Sequence, residues 1–168
     1  MRPLTFNPHD KIELFIDLQN LLKVVGPENL DLIIMAMCIA DGRNVGSAFV
    51  YDMLIPNDPV QARIHAELKR NGFKIVTPPG HCGNREKQVG VDVNMAIDIS
   101  DRASTSHCDV IVIVSGDGDF TPVIDNVYRK GKKVEVAAFE SATNKSLIDS
   151  VDRYIPLDSL PILRPRRD

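Results

Sequence analysis

The chain has no tryptophan, and aromatic residues make up only 5% of it. That scarcity argues against a long platform on which successive nucleic-acid bases could stack. Cysteine is equally sparse. Cys38, Cys82 and Cys108 are odd in number and scattered, which argues against a disulfide framework and fits a reducing compartment. No run approaches the ~18 apolar residues of a spanning helix, and the start, Met1-Arg-Pro-Leu-Thr-Phe6, lacks the apolar core of a signal peptide. These absences predict a soluble, cytoplasmic protein without a membrane partner. An excess of positive charge is missing too. A formal net charge of −3 gives no global pull toward nucleic acid, so an anionic partner must be held by a local patch or through bound cations. With 168 residues, 43% of them hydrophobic, the chain suits one domain over positions 1–160 and a basic tail over 161–168.

What the chain does contain is an alternation. Apolar runs that suit strands are Ile12–Leu18, Val45–Leu54, Phe73–Thr77, Val110–Gly116 and Lys133–Phe139. Helical patterns fall between and after them at Leu30–Ala40, Pro59–Arg70, Val91–Ala103, Phe120–Lys130 and Asn144–Val151. Asp58-Pro59 supplies a cap and a first-turn proline for the second helix, Asn71-Gly72 closes it, and Thr121-Pro122 opens the fourth in the same way. Such alternation calls for a three-layer α/β/α domain with a mainly parallel sheet and right-handed crossovers. Thr77–Gly90, with its prolines and glycines, reads as a loosely held loop.

The informative residues lie at the ends of two strands. Val110–Val114 is five β-branched residues in a row, as a strand buried on both faces requires, and it runs into Ser115-Gly-Asp-Gly-Asp-Phe120. Ile12-Glu-Leu-Phe-Ile-Asp17 ends in an aspartate as well, with Asn20 three residues on. Open α/β sheets place their ligands at the carboxyl ends of the strands. Each aspartate has a plainer reading. Asp17 suits the cap of a following helix, and Asp117 and Asp119 suit turn and cap positions. Asp92 would stand in the first turn of the Val91 helix, where the dipole favours an anion. Taken together, however, the carboxylates would crowd one rim. Two charges ~4 Å apart repel by about 4 kcal/mol at an effective dielectric of ~20, a cost relieved by a bound cation or by protonation of one member. Asp98, about 240° round the helix from Asp92, faces solvent or a basic partner, as do Asp101, Asn94, Asp125 and Asp52.

The ordered set Phe15-Ile-Asp-Leu-Gln-Asn20, Lys87…Gly90-Val-Asp-Val93, Ser115-Gly-Asp-Gly-Asp-Phe120 and Gly131-Lys-Lys-Val134 resembles the NYN domain family, the LabA-like branch of the PIN-like nuclease superfamily. The motifs span positions 15 to 134. The resemblance implies a PIN-like, Rossmann-like fold with strand order 3-2-1-4-5. It also implies a metal-dependent endoribonuclease using Mg2+ or Mn2+, with Asp17, Asp92, Asp117 and Asp119 as catalytic and metal-holding residues. Asn20 and Ser115 fall on supporting polar positions. The chemistry agrees, because carboxylate-held magnesium or manganese can activate water and neutralise a phosphodiester without a catalytic histidine.

An acidic rim repels RNA unless cations stand beside it. Arg85 and Lys87, in the Thr77–Gly90 loop, are the candidate substrate-binding residues. Arg129, Lys130, Lys132 and Lys133 form a second basic run, and Arg164–Arg167 a third. The expected partner is therefore RNA, single-stranded or structured, held mainly by its phosphates. A homodimer through the apolar faces of Leu30–Ala40 (Ile33, Ile34, Met37, Cys38) is the alternative to a core role, and core is favoured. His81-Cys82 and His107-Cys108 form no zinc pattern. A haloacid-dehalogenase-type phosphatase would need an aspartate where Gln19 stands. Gly116-Asp-Gly118 lacks the third glycine of a dinucleotide loop, and a topoisomerase-primase site would want a glutamate ending an earlier strand. The remaining competitor is a non-catalytic RNA-binding or regulatory module on the same fold.

Overall fold

The computed structural model describes residues 6–78 and 85–164, with the side chains of 85–89 left out of the description. Its frame is a six-stranded, all-parallel sheet in the order β3-β2-β1-β4-β5-β6. The strands are β1 Lys11–Asp17, β2 Asn44–Tyr51, β3 Lys74–Val76, β4 Val110–Val114, β5 Lys133–Ala138 and β6 Arg153–Pro156. The helices are α1 Leu18–Val25, α2 Leu32–Ala40, α3 Pro59–Arg70, α4 Arg85–Thr105, α5 Thr121–Arg129 and α6 Lys145–Asp149. The anticipated 3-2-1-4-5 order is present, with β6 added at the outer edge of β5.

Side-chain alternation along the central strands decides which face each residue serves. In β1, Ile12, Leu14 and Ile16 pack with Leu18 and Leu21 of α1, Met35 and Ile39 of α2, and Leu68 of α3. Phe15, by contrast, packs with Val91, Met95 and Ile99 of α4. The same split runs through β4, where Val110, Val112 and Val114 join the first cluster and Ile111 and Ile113 the second. Every residue of β4 is buried, as its unbroken β-branched run required.

Several boundaries differ from the sequence reading. β1 ends at Asp17, because Leu18 already begins α1, a helix closed by Gly26 at φ +81°. β2 stops at Tyr51 rather than at Leu54. Asp58 caps α3 as anticipated, accepting from the Val60 and Gln61 amides at 2.9 and 3.1 Å. Thr121 does not cap α5. It is the helix's first residue, and its hydroxyl donates to Gly118 O at 2.7 Å. The largest difference is α4, which starts at Arg85 rather than Val91, so part of the presumed Thr77–Gly90 loop is helix. In α2 the core preference fails for two of the four named residues: Met37 is 64% exposed and Ile34 is exposed as well, while Leu32, Met35 and Ile39 face inward. Past Leu160 the chain stays packed. Ile162 is buried, and the Arg164 amide donates to Asn29 O at 2.7 Å. Residues 165–168 of the basic tail, and His81 and Cys82, lie outside the described residues.

Candidate active site

The chain runs outward from β1 through β2 to β3, then returns to the centre as β4 and runs outward the other way. The carboxyl ends of β1 and β4 therefore flank the switch point, where such sheets open a crevice. Their register aligns Ile16 with Val114, which brings the next residues, Asp17 and Ser115, level on the α4 face. The Ser115 hydroxyl donates to Asp17 Oδ2 at 3.0 Å, and both side chains are buried. Asp17 Oδ1 accepts from the Asn20 amide at 3.2 Å, so this carboxylate also caps α1. The two readings of Asp17, cap and site residue, are compatible in one geometry.

Asn20 and Ser115 stitch the rim together. Asn20 Oδ1 accepts from the Gly116 amide at 3.1 Å, and Ser115 Oγ accepts from the Asp117 amide at 3.2 Å. Asp117 Oδ1 in turn accepts from the Asp119 amide at 2.9 Å, shaping the short 3-10 turn Gly118–Phe120. Gly116 has a steric reason to be glycine. A Cβ there would stand 2.1 Å from Ala142 O, in the segment that follows β5, and the Asn144 amide donates to Gly116 O at 3.0 Å.

The third element is α4. Asp92 lies about two turns into this helix and not in its first turn, so the N-terminal dipole expected to favour its charge acts too far away. Burial pushes the Asp92 carboxyl up to about 7, and the charges of Asp17, Asp117 and, more weakly, Asp119 add to that rise. Asp17 is raised as well, by burial first and with a further push from Asp117, against the hydrogen bonds from Asn20 and Ser115. The four aspartates thus share one field. The opposing cation is Lys23, whose charge lowers both Asp17 and Asp92. Sequence reasoning missed Lys23. Its signal was the three-residue spacing from Asn20, which puts both on one face once α1 is recognised as a helix.

The other named residues are placed elsewhere. Arg85 opens α4 and Lys87 stands in its first turn, on the same helix as Asp92; their side chains lie outside the described residues. Lys132 and Lys133 sit at the amino end of the sheet, away from the aspartates. The Lys132 ammonium donates to Ser106 O and Cys108 O, and that of Lys133 to Asp10 at 2.7 Å. Arg164 pairs with Glu67 at 3.1 Å. Asp98 accepts from the Tyr51 hydroxyl at 2.8 Å, which ties α4 to the end of β2. Asp52, expected to face solvent or a basic partner, is buried and fully engaged. It accepts from Gln19 Nε2 at 2.6 Å, the Met53 amide at 2.9 Å and Gln61 Nε2 at 2.9 Å, and its Oδ2 meets His65 Nε2 at 2.7 Å.

Can these residues hold a divalent cation? Their donors are oxygens only, which suits magnesium or manganese over zinc. Burial accounts for most of the rise of Asp92, and the neighbouring carboxylates add a negative field that a cation would relieve. Among the described residues, no three His, Cys, Asp or Glu side chains stand close enough to surround one ion directly. A hydrated divalent ion that keeps several waters and takes only one or two carboxylates directly would not require three such side chains.

A search of curated proteins gives no significant match. Among solved structures, the chain is similar to the crystal structure of a protein of unknown function from Vibrio parahaemolyticus. The two are 27% identical with a TM-score of 0.79, and the match covers 95% of this chain and 99% of the other. No helix among the described residues is long and apolar enough to cross a membrane. The NYN domain model matches residues 11–158, from the first residue of β1 to beyond β6. The chain therefore belongs to the NYN domain family, a group of PIN-like, nuclease-type domains.

Proposed function

We propose that this protein is a ribonuclease that hydrolyses RNA phosphodiester bonds with the help of Mg2+ or Mn2+ held by Asp17, Asp92, Asp117 and Asp119. The observation that carries the reading is the accumulation of four carboxylates, one of them raised to about 7, at the switch-point crevice of a parallel sheet. A divalent cation bound there supplies an activated water and neutralises charge on the phosphate. The chain's own residues do the rest. Ser115 and the Asn20 amide hold Asp17 in a single orientation. The Asp119 amide fixes Asp117. Asp92 comes from α4, and beside a bound cation its raised carboxyl would give up its proton more readily. Lys23, with Arg85 and Lys87 at the start of α4, offsets the repulsion between the acidic rim and the phosphates of the substrate.

A non-catalytic RNA-binding module has one observation in its favour, the absence of three directly ligating side chains among the described residues. Incubation of the purified protein with labelled single-stranded RNA, with manganese or with EDTA, separates the two. Manganese-dependent cleavage that disappears in Asp117→Asn supports the nuclease. Binding without cleavage on any RNA, or cleavage that persists in EDTA, refutes it.

A further inference from the structure

Beside the acidic rim lies an open-mouthed cavity of about 340 Å³ between α1 and the start of α3. At the small end of the ~300–1,000 Å³ range of ligand pockets, it has room for one nucleoside and not for a stack. Leu22, Ile55, Val60 and Ile64 supply apolar wall, while Gln19 and Lys23 supply polar edge. Two carboxylates also line it, and both are already occupied. Asp58 caps α3, and Asp52 holds Gln19, Gln61, His65 and the Met53 amide. What is left for a ligand differs in kind. Lys23 makes no hydrogen bond or ion pair among the described residues, and Gln19 Oε1 has no partner there either. Gln19 spends one of its two N–H groups on Asp52, which fixes the carboxamide and leaves one donor and one acceptor side by side.

Lys23 belongs to both places. It lines this cavity, and it is the cation opposing Asp17 and Asp92 in the crevice. From this juxtaposition we infer that the cavity is a nucleotide subsite: it takes the base of the RNA residue next to the bond being cut, with Lys23 on the intervening phosphate and Gln19 on the base edge. The inference rests on the nuclease reading for its substrate and specifies how that substrate is seated. A single seated base compensates for the lack of an aromatic platform. The one oriented amide gives a modest base preference, since such a group can donate and accept at once.

The test uses the full chain in EDTA and follows amide chemical shifts on titration with each of the four ribonucleoside 5′-monophosphates and with ribose 5-phosphate. The nucleotides should shift the amides of Ile55, Val60, Gln61 and Ile64 on the far wall, whereas ribose 5-phosphate should move only the surroundings of Lys23. Ile55→Trp, at a loop position 37% exposed, plugs the mouth and should abolish the nucleotide shifts; Val60→Phe is a second plug. On single-stranded RNA with manganese, either plug should raise KM about tenfold, a loss of about 1.4 kcal/mol, with a smaller change in kcat. Equal shifts from ribose 5-phosphate, nucleotide shifts that survive both plugs, or no shift at these amides would each overturn the subsite. A parent that cleaves RNA without showing the shifts refutes the subsite and leaves the nuclease standing. A parent that binds nucleotides here and cleaves nothing refutes the nuclease alone.

Discussion

The amino end of the sheet and the rim where β1 and β4 end treat their carboxylates in opposite ways. At the amino end, each buried acid has a cation. Glu135 takes both Arg43 nitrogens at 2.8 Å, and Asp10 takes Lys133 at 2.7 Å. Glu13 is bonded by Arg102 and Ser106, whose hydrogen bonds outweigh burial and hold it below the usual carboxylate range. At the carboxyl end, Asp17, Asp92, Asp117 and Asp119 have no ion pair among the described residues, where the charge of Lys23 opposes Asp17 and Asp92. One end has its charges closed internally. The other leaves charge open, at a cost to stability that a partner from solvent can relieve.

The most severe way to probe the contrast is to remove charge at the open end. Asp17→Asn or Asp117→Asn should lower manganese-dependent RNA cleavage by on the order of 100-fold or more, with a double variant little worse than either single one. Asn20→Ala should be milder, since Asn20 orients the rim from behind. Cleavage rates at saturating manganese check both points, and strictly additive losses would count against a single working unit.

Removing charge at the closed end should do the reverse. Arg43→Ala leaves buried Glu135 with only the looser contact to Arg153 at 3.8 Å and should cost about 3 kcal/mol of stability, read by urea unfolding, while cleavage per folded molecule stays near the parent's. A loss of rate without a loss of stability would break the distinction between the ends.

Next in size is the response to metal. Manganese at ~100 times its dissociation constant should add about 2.7 kcal/mol to the parent. Asp117→Asn should lose most of that increment and melt higher than the parent in EDTA. Identical metal responses in the two proteins would move the ion elsewhere.

The acid–base behaviour sharpens the comparison further. Asp92 in the folded, metal-free protein is raised to about 7 from an ordinary value near 3.8, so the folded state binds the proton more tightly than the unfolded chain. Its contribution to stability is therefore present below about pH 4 and is lost as the pH rises through about 7. Asp92→Asn should gain on the parent between pH 5 and 8 in EDTA. Denaturation curves at both pH values measure it, and a parallel pH response in the variant would show that Asp92 is not the strained group. The smallest effect concerns the start of α4. Replacing Arg85 and Lys87 by alanine should reduce the salt slope of RNA binding by up to about 2, and an unchanged slope would remove them from the interface.

Much of this arrangement was legible in the sequence. Val110–Val114 could only be a strand covered on both sides, and Asp58-Pro59 marked the start of a helix. The two aspartate-ending runs met because strand order and register brought them level. Other parts were not legible, for reasons that can be named. The first turns of α4 lie beside a stretch rich in proline and glycine, so local composition pointed to a loop. β6 is the four residues Arg153-Tyr-Ile-Pro156, too short for a periodicity, with a proline that only an edge strand tolerates. Asp52 looked like a surface residue because its partners Gln19, Gln61 and His65 come from two other elements. Lys23 stayed hidden until α1 was seen to be a helix.

Gly116 carries a consequence for how this site can change. Its amide is held by Asn20, its carbonyl by Asn144, and the space a side chain would fill is taken by Ala142 O. The junction between strand and acidic turn is thus closed to variation, and a saturation library at position 116 should return glycine alone among active clones. Any drift in the chemistry of the rim has to arise at its exposed corners, Asp119 and the residues of α4, while the hinge that carries Asp117 stays frozen. The site is mutable only from the outside.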